Sequence, residues 1–287
     1  ILKDTLDDII KQMNLGTLVN NKIKIIHLTS RYGLIKARNY GALQATGDTI
    51  TFLDSHIEVN EYWLQPLVYE IDKNPKVAIF PYIASIKYDT LLYKKSYKPN
   101  IGRFRFDLIF TWGLPSKEEE DKSTAIKSPT MPGGLYTINR EYFISLGLYD
   151  DIMYIYGGEN LEISLRIWQC GGQILMCPCS HIGHIFRKSP PYKANNYILK
   201  NLLRAGLPWM DEYIVFFSSY KIQLQNQYLF QYAGDLTSRA LIRKEYSCHN
   251  FRWYIKNVMG LAQHVNINRW YYIIAAGYIQ NIETNYC

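Results

Sequence analysis

Asp54-Ser55-His56 follows the apolar run 50–53 and carries more usable chemistry than any other triplet in this 287-residue chain. A carboxylate and an imidazole two positions apart lie on one side of an extended backbone. The carboxyl end of a strand in an α/β sheet is where ligands usually bind. Such a pair can hold a divalent ion, and the ion a diphosphate. The triplet equally suits a strand-end aspartate that caps a turn beside a surface histidine. A second cluster, Cys177-Pro-Cys179-Ser-His181-Ile-Gly-His184, crowds four metal-ligating side chains together. Structural zinc sites usually separate their paired cysteines by more than the one residue found here, which weighs against zinc.

Composition fits a globular protein with ample core, in one large domain or two smaller ones: 48% of residues are hydrophobic and 20% charged. No apolar stretch reaches the roughly 18–20 residues of a membrane span. The chain opens on neither Met nor a signal segment, and reads as an internal piece of a longer polypeptide. The net charge of +7 is spread over Lys94-Lys95, Arg103, Arg105, Arg187-Lys188 and Arg243-Lys244. That pattern lacks the interleaved glycines and aromatics of an RNA-binding surface, so no nucleic-acid partner is expected. Most of these cations suit a solvated surface, with phosphate contact left to one or two. The five cysteines are an odd count, which suits a secretory protein whose remaining disulfide partners lie outside the chain.

The elements that must position these residues follow from periodicity. Leu2, Leu6, Ile9, Ile10 and Met13 predict an amphipathic helix. Residues 22–29 read as a strand, 34–45 as a helix stopping at Gly47, and 49–53 as the strand that delivers Asp54. Asn60 is placed to cap a helix to 73, and 76–86 is a further strand. Strand–helix alternation predicts an α/β fold with a mostly parallel sheet flanked by helices. Residues 87–129 are less regular and suit an antiparallel excursion. A short helix is expected at 141–146, a longer one at 160–169 ending at Gly171-Gly172, a strand at 173–176, and helix over 195–220 with a break at 206–208. Residues 253–262 read as a linking helix, and 270–282 alternate in β fashion.

The chain resembles the polypeptide N-acetylgalactosaminyltransferases, which begin mucin-type O-glycosylation. The matching motifs are Arg31-Tyr-Gly-Leu-Ile-Lys-Ala-Arg38, Thr51-Phe-Leu-Asp-Ser-His56 through Trp63-Leu-Gln-Pro-Leu67, and Gly133-Gly-Leu. Tyr156-Gly-Gly-Glu-Asn-Leu-Glu162, Arg166-Ile-Trp-Gln-Cys-Gly-Gly172, Gly183-His-Ile-Phe-Arg187 and Trp209-Met-Asp-Glu-Tyr213 continue them in order. The resemblance implies a GT-A fold, Rossmann-like and missing its first strands, over residues 1–247. A linker over 248–268 and the start of a ricin-type lectin β-trefoil at 269–287 would follow.

By the same resemblance, Asp54, His56 and His184 bind Mn2+, while His181 is a bystander. Arg31, Arg187 and Tyr192 contact the nucleotide-phosphate part of a UDP-GalNAc donor, with Ser55 beside it. Arg38, Gly133, Gly134 and Glu159 grip the sugar. Glu159, Asn160 and Tyr156 are the expected catalytic group, whereas Glu162 reads as structural. Phe104, Phe106 and Phe186 are expected to offer aromatic surface to a peptide acceptor, core packing being the competing role of the first two. Cys170 and Cys248 match a disulfide. Cys179 and Cys287 match cysteines whose partners lie outside the chain; Cys177 has no family counterpart and reads as a buried free thiol.

The implied reaction is retaining transfer of N-acetylgalactosamine to Ser or Thr of proteins, in the Golgi lumen. Membrane attachment would come only through an N-terminal anchor absent from this chain. Several positions depart from the family pattern: Tyr156 for a mobile Trp, Pro190 for a loop His, Arg105-Phe106-Asp107 for Asp-Trp-Asn, and Pro132 for Ala. The segment that holds uracil is also missing. These departures motivate an alternative, a non-catalytic relative that binds peptide or glycan.

Overall fold

In the computed structural model of the chain, residues 23–94, 99–116, 124–186, 197–221 and 226–260 are described. The expected first helix, the donor contacts Arg187 and Tyr192, Pro190, Cys287 and the alternation over 270–282 lie outside them. Two units are distinguished, residues 1–32 and 33–287. In the first, 23–28 form no strand, contrary to expectation. A strand needs a ladder partner, and here Ile23, Ile25 and Ile26 remain exposed.

The second unit is an α/β fold. Helix α1 (Leu34–Gln44) precedes strand β1 (Thr49–Phe52), both close to their expected positions. After β2 (Ile57–Val59), helix α2 begins at Gln65 and runs to Lys73. Asn60 does not cap it. A helix started there would carry Pro66 in its interior, where proline removes a backbone bond; at the first turn it costs nothing. β3 (Val77–Ile86) is buried on nearly every residue, as its unbroken apolar run requires.

The excursion is antiparallel as expected: β4 (Tyr93–Lys94) pairs with β3, and β5 (Ile101–Phe104) with β6 (Phe110–Gly113). Then come β7 (Ile126–Lys127), β8 (Tyr136–Asn139), α3 (Arg140–Ser145), α4 (Glu159–Gln169) and β9 (Gln173–Ile185). Strand order is β1-β8-β3-β9-β2, with β4 on β3 and β7 on β9. Among these described strands only β3 and β9 run parallel. The expectation of a mostly parallel sheet fails for them because β8 inserts between β1 and β3, antiparallel to both. β3 and β9 also slip: Pro81 pairs with Cys177 but Tyr82 with His181, leaving residues 178–180 as surplus in β9.

Helices α5 (Tyr197–Gly206), α6 (Ile214–Lys221), α7 (Asn226–Ala233), α8 (Thr237–Glu245) and α9 (Phe251–Asn257) complete the described chain. α9 falls in the expected linker, yet Phe251, Tyr254 and Ile255 belong to the same core as Leu161 and Trp168 of α4. Other residues of that described segment, among them His249, Asn250, Arg252, Lys256 and Asn257, are exposed. Cys170, at the end of α4, is disulfide-bonded to Cys248, and Cys177 is a buried free thiol. Among the described residues no helix is long and apolar enough to cross a membrane.

Candidate metal and sugar-nucleotide site

The ligands expected from sequence meet. β1 ends two residues before Asp54, and the chain then turns into β2 through His56. β2 lies antiparallel to β9 with Ile57 opposite His184, and Ile185 donates its N–H to the His56 carbonyl at 3.0 Å. The two imidazole rings stand 4.6 Å apart between centroids. His184 Nε2 is 3.4 Å from Asp54 Oδ2. One ligating atom from each of Asp54, His56 and His184 lies within 4.8 Å of the others, a grouping that Cys177, Cys179 and His181 do not join. His181 instead packs its ring on Tyr82.

One carboxylate and two imidazoles suit a first-row divalent ion and leave coordination positions open. The buried Nδ1 of His184 has no hydrogen-bond partner in the protein. The residues therefore fit a metal. The other Asp54 oxygen accepts from Arg38 Nη2 at 3.0 Å. The hydrogen bond to His184 and the nearby charges of Arg38 and the imidazoles outweigh burial, and hold the Asp54 carboxyl below the usual carboxylate range.

Two glycines let other groups approach. A Cβ on Gly134 would stand 2.2 Å from Asp54 Oδ2, and one on Gly133 would stand 3.3 Å from Glu159 Oε1 and 3.9 Å from Arg38 Nη1. Arg38 reaches this corner from the buried face of α1, and its Nη1 is buried without a hydrogen-bond partner. Glu159 opens α4 and accepts the Gly157 N–H at 2.6 Å. Burial raises the Glu159 pKa, opposed by the Arg38 charge. Asn160 donates to the Met131 carbonyl at 3.2 Å, which fixes the segment leading to Gly133. Gly133, Gly134, Arg38, Asp54 and Glu159 thus face one corner.

The remaining residues divide. Glu162 is fully buried, bonded to Arg166 at 2.6 Å and to Trp209 Nε1 at 2.9 Å, a structural role as expected. Tyr156 and Phe186 are exposed, and Phe186 packs on His184. Phe104 is only 6% exposed, packed on Phe251 and Tyr254, so it serves the core and presents little surface to a peptide. Phe106 is half-buried against Phe216, while Arg105 forks onto Asp107. Ser55 is exposed; Arg31 is exposed in the first unit. Sequence reasoning missed Asn39, whose side chain brackets the Tyr149 backbone, and Asn201 of α5, whose side chain brackets the Tyr154 backbone in the same way. Neither sits in a pattern that marks it.

The family model for glycosyl transferase family 2 matches residues 3–147. Over 264 residues the chain is 44% identical to polypeptide N-acetylgalactosaminyltransferase 11 of Xenopus tropicalis, covering 88% of this chain and 43% of the relative. Over 295 residues it is 40% identical to human polypeptide N-acetylgalactosaminyltransferase 13, covering all of this chain and 50% of the relative. The chain thus spans about half the length of these relatives. A crystal structure of GalNAc-T7 with UDP, GalNAc and Mn2+ superposes with a TM-score of 0.80 at 34% identity, over 90% of this chain and 48% of that one.

Proposed function

The chain belongs to glycosyl transferase family 2, and from that premise we propose that it is the central part of a Mn2+-dependent polypeptide N-acetylgalactosaminyltransferase. The reaction is retaining transfer of N-acetylgalactosamine from UDP-GalNAc to Ser or Thr of proteins. One observation carries the proposal: His184, 130 residues beyond Asp54, converges with Asp54 and His56 on one sphere beside Arg38.

Asp54, His56 and His184 would hold the ion. Bound there, it would offset the negative charge gathering on departing UDP. Arg38 orients Asp54 and turns its second nitrogen toward Gly133. Glu159 offers a carboxylate to sugar hydroxyls, and the glycines admit the ring close to the backbone. Asn160 and Tyr156 flank this corner. Phe186, next to His184, offers apolar surface to an extended peptide. Arg31, Ser55, Arg187 and Tyr192 are proposed on the donor diphosphate. The domain division, with a lectin module beginning near 269, and a Golgi-luminal setting belong to the same proposal.

Calorimetry on the complete protein tests it. UDP should bind only with Mn2+, His184→Ala should abolish that binding, and Thr-containing peptides should be glycosylated. Wild-type protein that binds neither UDP nor Mn2+ overturns the proposal. Retained peptide or glycan binding without nucleotide would then favour the non-catalytic relative.

A further inference from the structure

We infer that Asn201 is a positioning residue, one that sets the Glu159 carboxylate through the peptide bond between Tyr156 and Gly157; what Glu159 grips rests on the function proposed above. Asn201 is fully buried on α5 and uses its whole carboxamide on one loop. Its Oδ1 accepts the Tyr154 N–H at 2.9 Å. Its Nδ2 donates to the carbonyls of Tyr154 at 2.9 Å and Tyr156 at 3.2 Å.

The Tyr156 carbonyl and the Gly157 N–H are two ends of one planar unit. That N–H is the group bonded to Glu159 Oε2 at 2.6 Å. Asn201 therefore grips one end of the amide plane and Glu159 the other.

The loop needs such a grip. Gly157 (φ 100) and Gly158 (φ 84) leave the plane free to rotate, and Ile155 (φ 58) sits in a region that a β-branched residue disfavours. On the opposite side, Leu34 and Ile35 donate N–H groups to the Ile155 carbonyl at 2.8 and 3.4 Å. A Cβ on Gly33 would stand 2.3 Å from Ile155 Cα, so only hydrogen fits there. The strained turn is held between α1 and α5, and Asn201 is the side chain that fixes the peptide orientation facing Glu159. Strain held in this way by its surroundings is typical of functional sites.

Asn201→Asp tests the inference in the complete protein, because it keeps size and the acceptor for Tyr154 but loses both donors. Calorimetry with Mn2+ gives the affinities for UDP and for UDP-GalNAc. The expected result is unchanged UDP affinity, with the advantage of UDP-GalNAc over UDP reduced about tenfold. Ile155→Gly, which accepts the left-handed backbone at no steric cost, should recover stability in the Asn201→Asp background without restoring that advantage. A purely structural asparagine would lower the melting temperature and leave the ratio intact, which overturns the inference. So does failure of Asn201→Asp to fold even with Ile155→Gly. A wild-type protein that binds neither nucleotide overturns the functional proposal, and this inference with it. Wild-type binding matched by an unaltered ratio in the variant overturns this inference alone.

Discussion

Gly134 and Asp54 are fitted so closely that no side chain is possible at the first without displacing the second: an added Cβ would lie 2.2 Å from the carboxylate oxygen that faces His184. Gly134 is thus the space that Asp54 occupies. Gly134→Ala should push the carboxylate off Arg38 and out of the shared sphere. The expected outcome is a loss of at least about tenfold in Mn2+-dependent UDP affinity, read by calorimetry, with the far-ultraviolet circular dichroism unchanged.

Acid should weaken the site in two ways. The Asp54 carboxyl titrates below its ordinary value in the folded chain because of its bond to His184 and the Arg38 charge. Between the folded and unfolded values the unfolded chain binds more protons. Stability from this group is therefore complete above the ordinary carboxylate value of about 3.9 and disappears as pH falls through the folded value. Asp54→Asn should show a flatter acid limb in urea midpoint against pH. Separately, imidazole ligates a metal only as the neutral base, so Mn2+-dependent nucleotide binding should decline below about pH 6–6.5.

Two phenylalanines should respond oppositely. Phe104 is buried at 6% exposure, so Phe104→Ala should cost about 3–5 kcal/mol of stability by denaturant titration. Phe186 is 44% exposed, so Phe186→Ala should leave stability nearly unchanged and raise the KM for acceptor peptide. A stability loss at Phe186 as large as at Phe104 would remove Phe186 from the acceptor surface.

The disulfide between Cys170 and Cys248 closes a segment of 78 residues. Cross-links of that span stabilise by about 4 kcal/mol, mainly through the unfolded chain. Cys248→Ser should lower the melting temperature, and dithiothreitol should lower that of the wild type to match. Protein made in a reducing compartment should show the same deficit.

Local patterns made much of this molecule readable. Helix α1, strand β1 and the delivery of Asp54 and His56 follow from periodicity over a dozen residues. The long-range partner His184 emerged from the motif Gly183-His-Ile-Phe-Arg187, because spacing alone cannot join positions 130 residues apart. β8 went unread: its four residues follow a glycine pair and take their place by pairing with β1 and β3. The strand expected at 173–176 extends well past Met176, through Pro178 and Gly183. Pairing on both sides carries it through to Ile185. Asn201 is invisible in sequence because its partners are backbone groups, whose positions no side-chain pattern encodes.

The slip between β3 and β9 has a consequence for how this chain can diverge. Side chains alternate between faces along a strand, and the three surplus residues Pro178, Cys179 and Ser180 decide which face His184 takes. Adding or deleting one residue there would turn the imidazole to the far side of the sheet while every motif stayed spelled as before. Homologous chains should therefore hold the length of that short stretch constant.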